Sequence, residues 1–327
     1  MGHGPLAGNP IGAAKLPGAR MSTKSTLRAA EGEARGRAPA PPSALRYTLL
    51  ALLFTLLWAT AFVAVKVALR SSPPFFLMAS RFVVAGILLL AYGRLRGQSL
   101  PGTSGYWARL AALGLLNYAL YLGLTAVALR HLSVGTGAVL ASTNPLLLAV
   151  AAAWLLKEPL TPWKVTGLLT SFGGVVWIMR HRMGDQDRPG SMALMMLAIA
   201  LLVAGTILFK RWRLTQNLVV VNGVQLLIAG TALMAPSLLF EPVGSVRFTP
   251  SFLGAQAFLI LGVSCAGMGI WFWLLTHGDA TRASAYFFLN PVLGLVLGAL
   301  FMGEPLYPLD FVGSAAVALG IYLVQRS

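Results

Sequence analysis

Apolar runs of about twenty residues follow one another along the chain from residue 47 onwards, separated by short polar stretches. A helix of about twenty apolar residues crosses the roughly 30 Å of hydrocarbon in a bilayer. Since backbone polar groups in lipid must pair within their own segment, each run is predicted to be a transmembrane helix. The ten runs lie near residues 48–68, 75–92, 108–129, 133–156, 162–180, 190–209, 217–238, 252–275, 281–302 and 308–325.

Residues 1–46 differ from the rest of the chain. They are rich in Gly, Ala, Pro and Arg, hold very few aromatic or β-branched residues, and show no apolar periodicity. Such a segment cannot bury enough apolar surface to offset the entropy of ordering. We expect residues 1–46 to be a disordered basic cytoplasmic tail.

The composition supports a membrane protein. The chain is 57% hydrophobic and 10% charged, whereas a soluble domain is about 45–50% apolar and about 25% charged. The fold class predicted is therefore an all-α polytopic membrane protein with ten transmembrane helices.

The net charge of +16 indicates orientation rather than a nucleic-acid partner. Most Lys and Arg residues fall in the tail and in predicted loops on the same side, as cytoplasmic loops do. Both termini are therefore predicted to be cytoplasmic, in the plasma or inner membrane of a cell. The single cysteine, Cys265, and four scattered histidines favour neither a disulfide framework nor a metal site, and no cofactor is expected. The expected partners are the lipid bilayer and a small-molecule metabolite, with the oligomeric state left open.

The second half of the chain repeats the first. A shift of 146 residues aligns 131–180 with 277–326 without a gap. An offset of 144 residues further upstream pairs Lys66 with Lys210. Identical pairs in the ungapped stretch include His131/His277, Asn144/Asn290, Pro145/Pro291, Glu158/Glu304, Pro159/Pro305, Gly167/Gly313 and Gly174/Gly320. The chain is thus predicted to contain two five-helix repeats, residues 47–184 and 185–327. Because five is odd, the two copies enter the membrane from opposite sides as an inverted repeat.

Inverted repeats are typical of secondary transporters, which alternate between inward-open and outward-open states. The sequence contains no G-x-x-x-x-G-K-[ST] phosphate-binding loop, which an ATP-driven pump would need. Transport without ATP hydrolysis is therefore favoured.

Several motifs resemble those of EamA-domain repeats in the drug/metabolite transporter superfamily. These motifs are Trp58-Ala-Thr-Ala-Phe62, Arg81-Phe82, Leu140-Ala-Ser-Thr-Asn-Pro145, Lys157-Glu-Pro-Leu160, Leu289-Asn-Pro291 and Gly303-Glu-Pro-Leu306. The resemblance implies ten helices around a central cavity and the export or exchange of small metabolites such as amino acids. The sequence departs from the pattern where Lys157 replaces the usual glycine and where Gln225 replaces a residue like Arg81.

Two Asn-Pro pairs fall near the middles of the fourth and ninth helices. Pro145 and Pro291 each remove a backbone donor and clash with the carbonyl four residues earlier. Interrupted helices at matching places in two repeats are a pointer to a substrate site, although a structural kink retained after duplication would leave the same pattern. Polar and aromatic residues at similar depth complete a predicted substrate cavity. Its members are Trp58, Thr60, Asn117, Tyr118, Tyr121, Ser142, Asn144, Thr206, Asn222, Gln225, Ser264, Tyr286 and Asn290.

Five charged residues are candidates for gating. Lys66 and Glu304 are predicted near the outer face, whereas their repeat mates Lys210 and Glu158 are predicted near the inner face; each pair would close one gate in turn. Arg81, two turns into the second helix, joins the outer group. Alternatively, Lys66 and Arg81 extend to the lipid headgroups, and the two glutamates only open the helices that follow them.

The predicted function is alternating-access export or exchange of amino-acid-like or related amphipathic compounds, with no catalytic residue. An integral-membrane lipid-modifying enzyme is the alternative from another class, but it would need acids, His or Ser-His sets clustered near one interface. A non-transporting scaffold or sensor is the remaining alternative, and it gives no reason for polar residues repeated at cavity depth.

Overall fold

The computed structural model describes residues 1–2, 43–99, 103–132, 134–180, 187–214, 217–302 and 306–326. The chain divides into two units, Met1–Pro42 and Ser43–Ser327, and the described helices all belong to the second. The predicted tail therefore lies almost entirely outside the described residues.

The described part of the second unit is helical, with no strand in those ranges. The helices are α1 (Ala44–Leu69), α2 (Pro74–Leu95), α3 (Ser104–Ala128), α4 (Val134–Ala141 and Asn144–Leu155), α5 (Pro162–Met179), α6 (Pro189–Trp212), α7 (Leu218–Phe240), α8 (Pro250–His277), α9 (Ala280–Met302) and α10 (Pro308–Arg326). Helices α3 and α8 each contain a π-helical segment, α4 is in two parts, and α9 contains a 3₁₀ turn.

Eight of these helices are long and apolar enough to cross a membrane, counted over the described residues: α1, α2, α3, α6, α7, α8, α9 and α10. A shorter apolar stretch covers Val139–Leu155 in α4. The bounds predicted from the apolar runs differ from the observed helix ends by no more than four residues.

Proline and threonine set several helix starts. Pro162 and Pro250 occupy the first turns of α5 and α8, where a missing N–H costs no intrahelical hydrogen bond. The hydroxyl of Thr161 caps α5 by accepting from the Lys164 N–H, and Thr249 caps α8 in the same way.

Two helix pairs pack closely along their lengths, α2 with α7 and α5 with α10. In the second pair a Cβ on Gly167 would lie 2.5 Å from the Gly320 carbonyl, and one on Gly320 would lie 2.4 Å from the Gly167 carbonyl. Likewise, a Cβ on Gly174 would lie 2.6 Å from the Gly313 carbonyl. Small residues let these backbones approach, as they do in membrane helix pairs generally.

Four helices are interrupted, and the predicted repeat pairs α3 with α8 and α4 with α9. The π-helical segments are Leu115–Leu120 in α3 and Phe258–Gly267 in α8. Helix α4 breaks at Ser142 and Thr143, and α9 tightens into a 3₁₀ turn at Tyr286–Phe288. The break in α4 lies directly before Asn144, and the turn in α9 is separated from Asn290 by Leu289 alone, so both lie where proline was expected to disturb the helix.

Candidate functional site

A narrow cleft lies among α1, α2, α3 and α8. Along α1 it extends from Trp58 to Val65, and along α3 it reaches Leu129, the residue after the helix. Its remaining walls are largely apolar. The lining residues are Trp58, Ala61, Phe62, Val65, Met78, Arg81, Tyr121, Leu122, Thr125, Ala126, Leu129 and Val263.

Arg81 is the charged residue of the cleft wall, and only 2% of it is exposed. Its Nε donates a hydrogen bond to Ser264 Oγ at 2.8 Å, and its Nη1 lies 3.9 Å from Met78 Sδ. No carboxylate among the described residues lies within ion-pair distance of it. The Arg81 side chain is therefore enclosed by protein.

A buried hydrogen-bond network lies beside Arg81. The Tyr118 hydroxyl donates to Asn222 Oδ1, and Asn222 Nδ2 donates to the Ser264 carbonyl at 2.9 Å. Tyr118 belongs to the π-helical segment of α3 and Ser264 to that of α8. The network therefore ties the two irregular segments to α7, in keeping with the frequent occurrence of π-bulges at functional sites.

Several buried polar atoms have no hydrogen-bond partner among the described residues. Five of these atoms belong to four amide side chains of the predicted cavity, Gln225 contributing both its oxygen and its nitrogen, and one is a threonine hydroxyl in the cleft wall. These residues are Asn117, Asn144, Gln225, Asn290 and Thr125. Unpaired buried polar groups are costly, so each is a place where water or a ligand would be stabilised.

An aromatic cluster of Phe54, Trp58, Trp271 and Phe287 adjoins the cleft through Trp58. The ring centroids of Phe54 and Trp271 are 5.3 Å apart, and those of Trp271 and Phe287 are 5.2 Å apart. Trp58 packs edge-on against Phe287 at 6.0 Å. Trp58 also stacks on Tyr121, so the cluster and the cleft share a wall.

Beyond the aromatic cluster lies what we call the terminal end, where α1 begins and α10 ends. Thr48 near the start of α1 contacts the Tyr286 hydroxyl at 3.4 Å, and Gln325 Nε2 near the end of α10 donates to the Arg282 carbonyl. The chain termini of the helical unit thus meet the start of α9.

An ion cluster holds the terminal end together. Lys210 Nζ lies 2.7 Å from Glu158 Oε1 and also donates to the Gly278 carbonyl at 2.9 Å. Glu158 accepts from the Ala280 N–H at 3.0 Å. The carboxylate therefore caps α9 and not α5, the helix that follows it, whose cap is Thr161.

A second ion pair lies beside the first. Lys164 Nζ is 3.2 Å from Asp279 Oδ2 and 2.9 Å from the Pro159 carbonyl, and only 2% of the Lys164 side chain is exposed. Neither Lys164 nor Asp279 was singled out from the sequence. The sequence signal for Asp279 is its position directly before Ala280, since an acidic residue suits the start of a helix.

The other predicted site residues lie in several environments. Thr206 and Ser142 are buried away from the cleft wall, and Tyr286 lies near the terminal end. Thr60 bonds the Leu56 carbonyl of its own helix. Lys66 is half-buried.

Glu304, the predicted partner of Lys66, lies outside the described residues, as do the side chains around it. At this opposite end of the bundle, the Glu241 carboxylate accepts from the Phe75 and Phe76 N–H groups at 2.8 Å each, capping α2. No group of three His, Cys, Asp or Glu that could hold a metal ion occurs in the part of the chain that the structure describes.

Comparison with known proteins shows which family and which known structure this fold resembles. The model of the EamA-like transporter family matches residues 45–180 and again residues 190–326. A solved crystal structure superposes with a TM-score of 0.71 over 86% of this chain and 98% of that chain, at 22% identity, so the two share a fold.

Similar proteins come from plants and bacteria. A chloroplastic WAT1-related protein of Arabidopsis thaliana is 29% identical over 86% of this chain and 69% of its own length. An uncharacterized transporter of Synechocystis sp. is 29% identical over 85% of this chain and 89% of its own length. The uncharacterized inner membrane transporter YedA of Escherichia coli strain K12 is 27% identical over 84% of this chain and 90% of its own length. With both halves matched and its apolar helices described, this chain is a multi-pass membrane protein that belongs to the EamA-like transporter family.

Proposed function

We propose that this chain is a secondary transporter that exports or exchanges small amphipathic metabolites by alternating access. The observation that carries the proposal is a cleft bordered by an aromatic cluster, with an ion cluster at the terminal end beyond it. The helices around it are interrupted at positions that the sequence repeat relates. A central site closed at one end and flanked by broken helices is what alternating access requires.

In this proposal the fold consists of ten transmembrane helices in two inverted repeats, residues 47–184 and 185–327. The packing of α2 on α7 and of α5 on α10 supports it, because each pair joins the corresponding helices of the two repeats. The basic tail and the basic loops put both termini in the cytoplasm of a cell whose plasma or inner membrane holds the protein. The terminal end is then the cytoplasmic gate, closed in this structure.

The two gates exchange roles during transport. Lys210 and Glu158 hold the cytoplasmic gate closed by joining the ends of α4 and α6 to the start of α9. When this contact breaks, the repeat mates Lys66 and Glu304 form the equivalent contact on the outer side. The aromatic cluster separates with the cytoplasmic ion pair and gives the substrate access to the cytoplasm.

Flux in proteoliposomes tests the proposal. Purified full-length protein is reconstituted and supplied with a panel of radiolabelled amino acids, aromatic carboxylates and amines on the outside. An alternating-access transporter gives saturable uptake that unlabelled solute inside the vesicles accelerates. Protein-free vesicles are the control. Unsaturable flux would indicate a channel, and the absence of flux across the whole panel would contradict transport.

A further inference from the structure

A buried cation and an unpartnered hydroxyl lie in the wall of the same cleft. Arg81 is 2% exposed and Thr125 is 5% exposed, and both line the cleft. Thr125 Oγ1 has no hydrogen-bond partner among the described residues. Helix α2 supplies the cation and α3 supplies the hydroxyl, so the two groups are fixed by different elements.

The surroundings of Arg81 give its charge no anionic partner. Its contacts are Ser264 Oγ, Met78 Sδ and the face of the Phe82 ring, whose centroid lies 5.4 Å from Arg81 Cζ, and all three are neutral. A guanidinium has five N–H donors, and taking its charge out of water costs several kcal/mol unless an opposite charge is close. An anion in the cleft would therefore be stabilised by the existing protein structure.

The shapes of the Arg81 guanidinium and the Thr125 hydroxyl favour one class of anion in the cleft. A guanidinium is a planar fork whose parallel N–H groups match the two oxygens of a carboxylate. A hydroxyl on the neighbouring helix can donate one further hydrogen bond to such an oxygen. A substrate ammonium group would instead meet the like charge of Arg81, with no acidic side chain among the lining residues.

The rest of the wall suits an apolar body. Trp58 and Tyr121 present nearly parallel rings, with centroids 6.5 Å apart and planes 4° apart. Leu122, Val65 and Val263 add aliphatic surface. An aromatic or branched aliphatic group would be buried against these side chains by the hydrophobic effect.

We propose that the cleft binds an amphipathic monocarboxylate, with the carboxylate on Arg81 and Thr125 and the apolar body against Trp58 and Tyr121. This assignment rests on the proposed transport function and names the substrate class for it. Ser264 is then a positioning residue, because its hydroxyl holds Arg81 Nε and orients the remaining N–H groups toward the cleft.

Three ligands that share one carbon skeleton test the assignment. The full-length protein in lipid nanodiscs is titrated with 3-phenylpropanoate, 3-phenylpropanol and 3-phenylpropylamine, and binding is followed by calorimetry. A charge-assisted hydrogen bond to a buried arginine makes the carboxylate bind about tenfold more tightly than the alcohol, or better. Equal or tighter binding of the alcohol or the amine would overturn the assignment.

Variants of the two polar groups complete the test. Thr125→Val keeps the side-chain shape and lowers the preference for the carboxylate over the alcohol by about two- to tenfold. Arg81→Met removes the preference entirely. Thr231→Val is the matched control, because the Thr231 hydroxyl bonds carbonyls of its own helix at an exposed position. Should Arg81→Met fail to fold, Thr125→Val decides, and an unchanged preference in that variant would contradict the assignment.

Flux measurements separate this proposal from the transport function. Equal rates for the three ligands in proteoliposomes would overturn the carboxylate site and leave the transporter intact. Tight and selective carboxylate binding without any flux would retain the site and overturn transport.

Discussion

Neutralising Glu158 tests how the terminal end is held closed. In Glu158→Gln the side chain keeps its length and shape but loses its charge. The carboxylate of Glu158 binds Lys210 Nζ at 2.7 Å, the Ala280 N–H at 3.0 Å and the Thr281 N–H at 3.4 Å. The Ala280 and Thr281 contacts join Glu158 to α9 and are lost when α9 moves away, whereas the Lys210 contact joins α6 to the loop after α4.

The burial of the pair sets the size of the effect. The Lys210 and Glu158 side chains are 18% and 10% exposed, so the solvent screens their attraction only in part. An exposed ion pair contributes at most about 1 kcal/mol, whereas a hydrogen bond to a buried charged group contributes about 1.5–3 kcal/mol. We therefore expect Glu158→Gln to destabilise the closed terminal end by about 2 kcal/mol relative to the open one. The ratio of closed to open terminal ends then falls about thirtyfold.

Single-cysteine labelling measures that ratio. Cys265 is the one cysteine of the chain, so Cys265→Ser gives a background without reactive thiols. Ser284→Cys places a reporter at a fully buried position between the ion cluster and the aromatic cluster. Ala126→Cys places another in the cleft wall. Adding Glu158→Gln should raise maleimide labelling at position 284 by up to about thirtyfold and lower it at position 126.

Glu241→Gln is the matched control, because Glu241 also binds two backbone N–H groups but caps α2 at the opposite end. It should leave labelling at both reporters unchanged. A folded Glu158→Gln variant with unchanged labelling would refute the proposed role of the ion pair. The double reversal of Glu158→Lys with Lys210→Glu should restore part of the closure that either reversal alone removes.

Further predictions concern packing. Gly174→Ala should destabilise the protein by about 1–3 kcal/mol in a thermal melt, because the new Cβ would lie 2.6 Å from a carbonyl of α10. The control is Gly173→Ala, whose Cβ would have no atom within 4 Å and which should be neutral or slightly stabilising. Phe287→Ala removes a ring from the aromatic cluster and should increase labelling of the Ser284→Cys reporter, and unchanged labelling would show that the cluster does not close the cleft. Thr143→Val removes a hydroxyl that bonds a carbonyl at 2.6 Å beside the break in α4, and it should cost about 1 kcal/mol of stability by thermal melting.

The helices and two of their interruptions could be predicted because their causes are local. Proline fixes its own φ and removes its own donor, so Pro145 and Pro291 mark the irregular parts of α4 and α9 wherever those helices pack. The π-helical segments of α3 and α8 were not predicted. Asn117 and Ser264 lie in these segments, and neither carries a sequence signal for an extra residue per turn. Such segments depend on packing and on hydrogen bonds to other helices.

The same distinction applies to the candidate site. The sequence identifies Arg81 as a rare intramembrane charge but leaves open whether it extends to the lipid surface. In the structure Arg81 is buried and its Nε bonds Ser264, which is 183 positions away in the chain. Likewise, Lys164 and Asp279 form their ion pair across 115 positions, and no local pattern relates them. Pairings of this kind become visible only when the fold brings the helices together.

Under the proposed alternating access, departures from the repeat account for closure at the terminal end. An exact inverted repeat would make the two closed states equal in energy, because every contact at one end would have a counterpart at the other. Lys164 and Asp279 break this equality, since the 146-residue offset relates them to Asp310 and Ser133. An aspartate and a serine cannot form an ion pair, so these two positions supply no counterpart of the Lys164–Asp279 pair. With Lys164 buried, this additional pair favours the proposed state whose terminal end is closed.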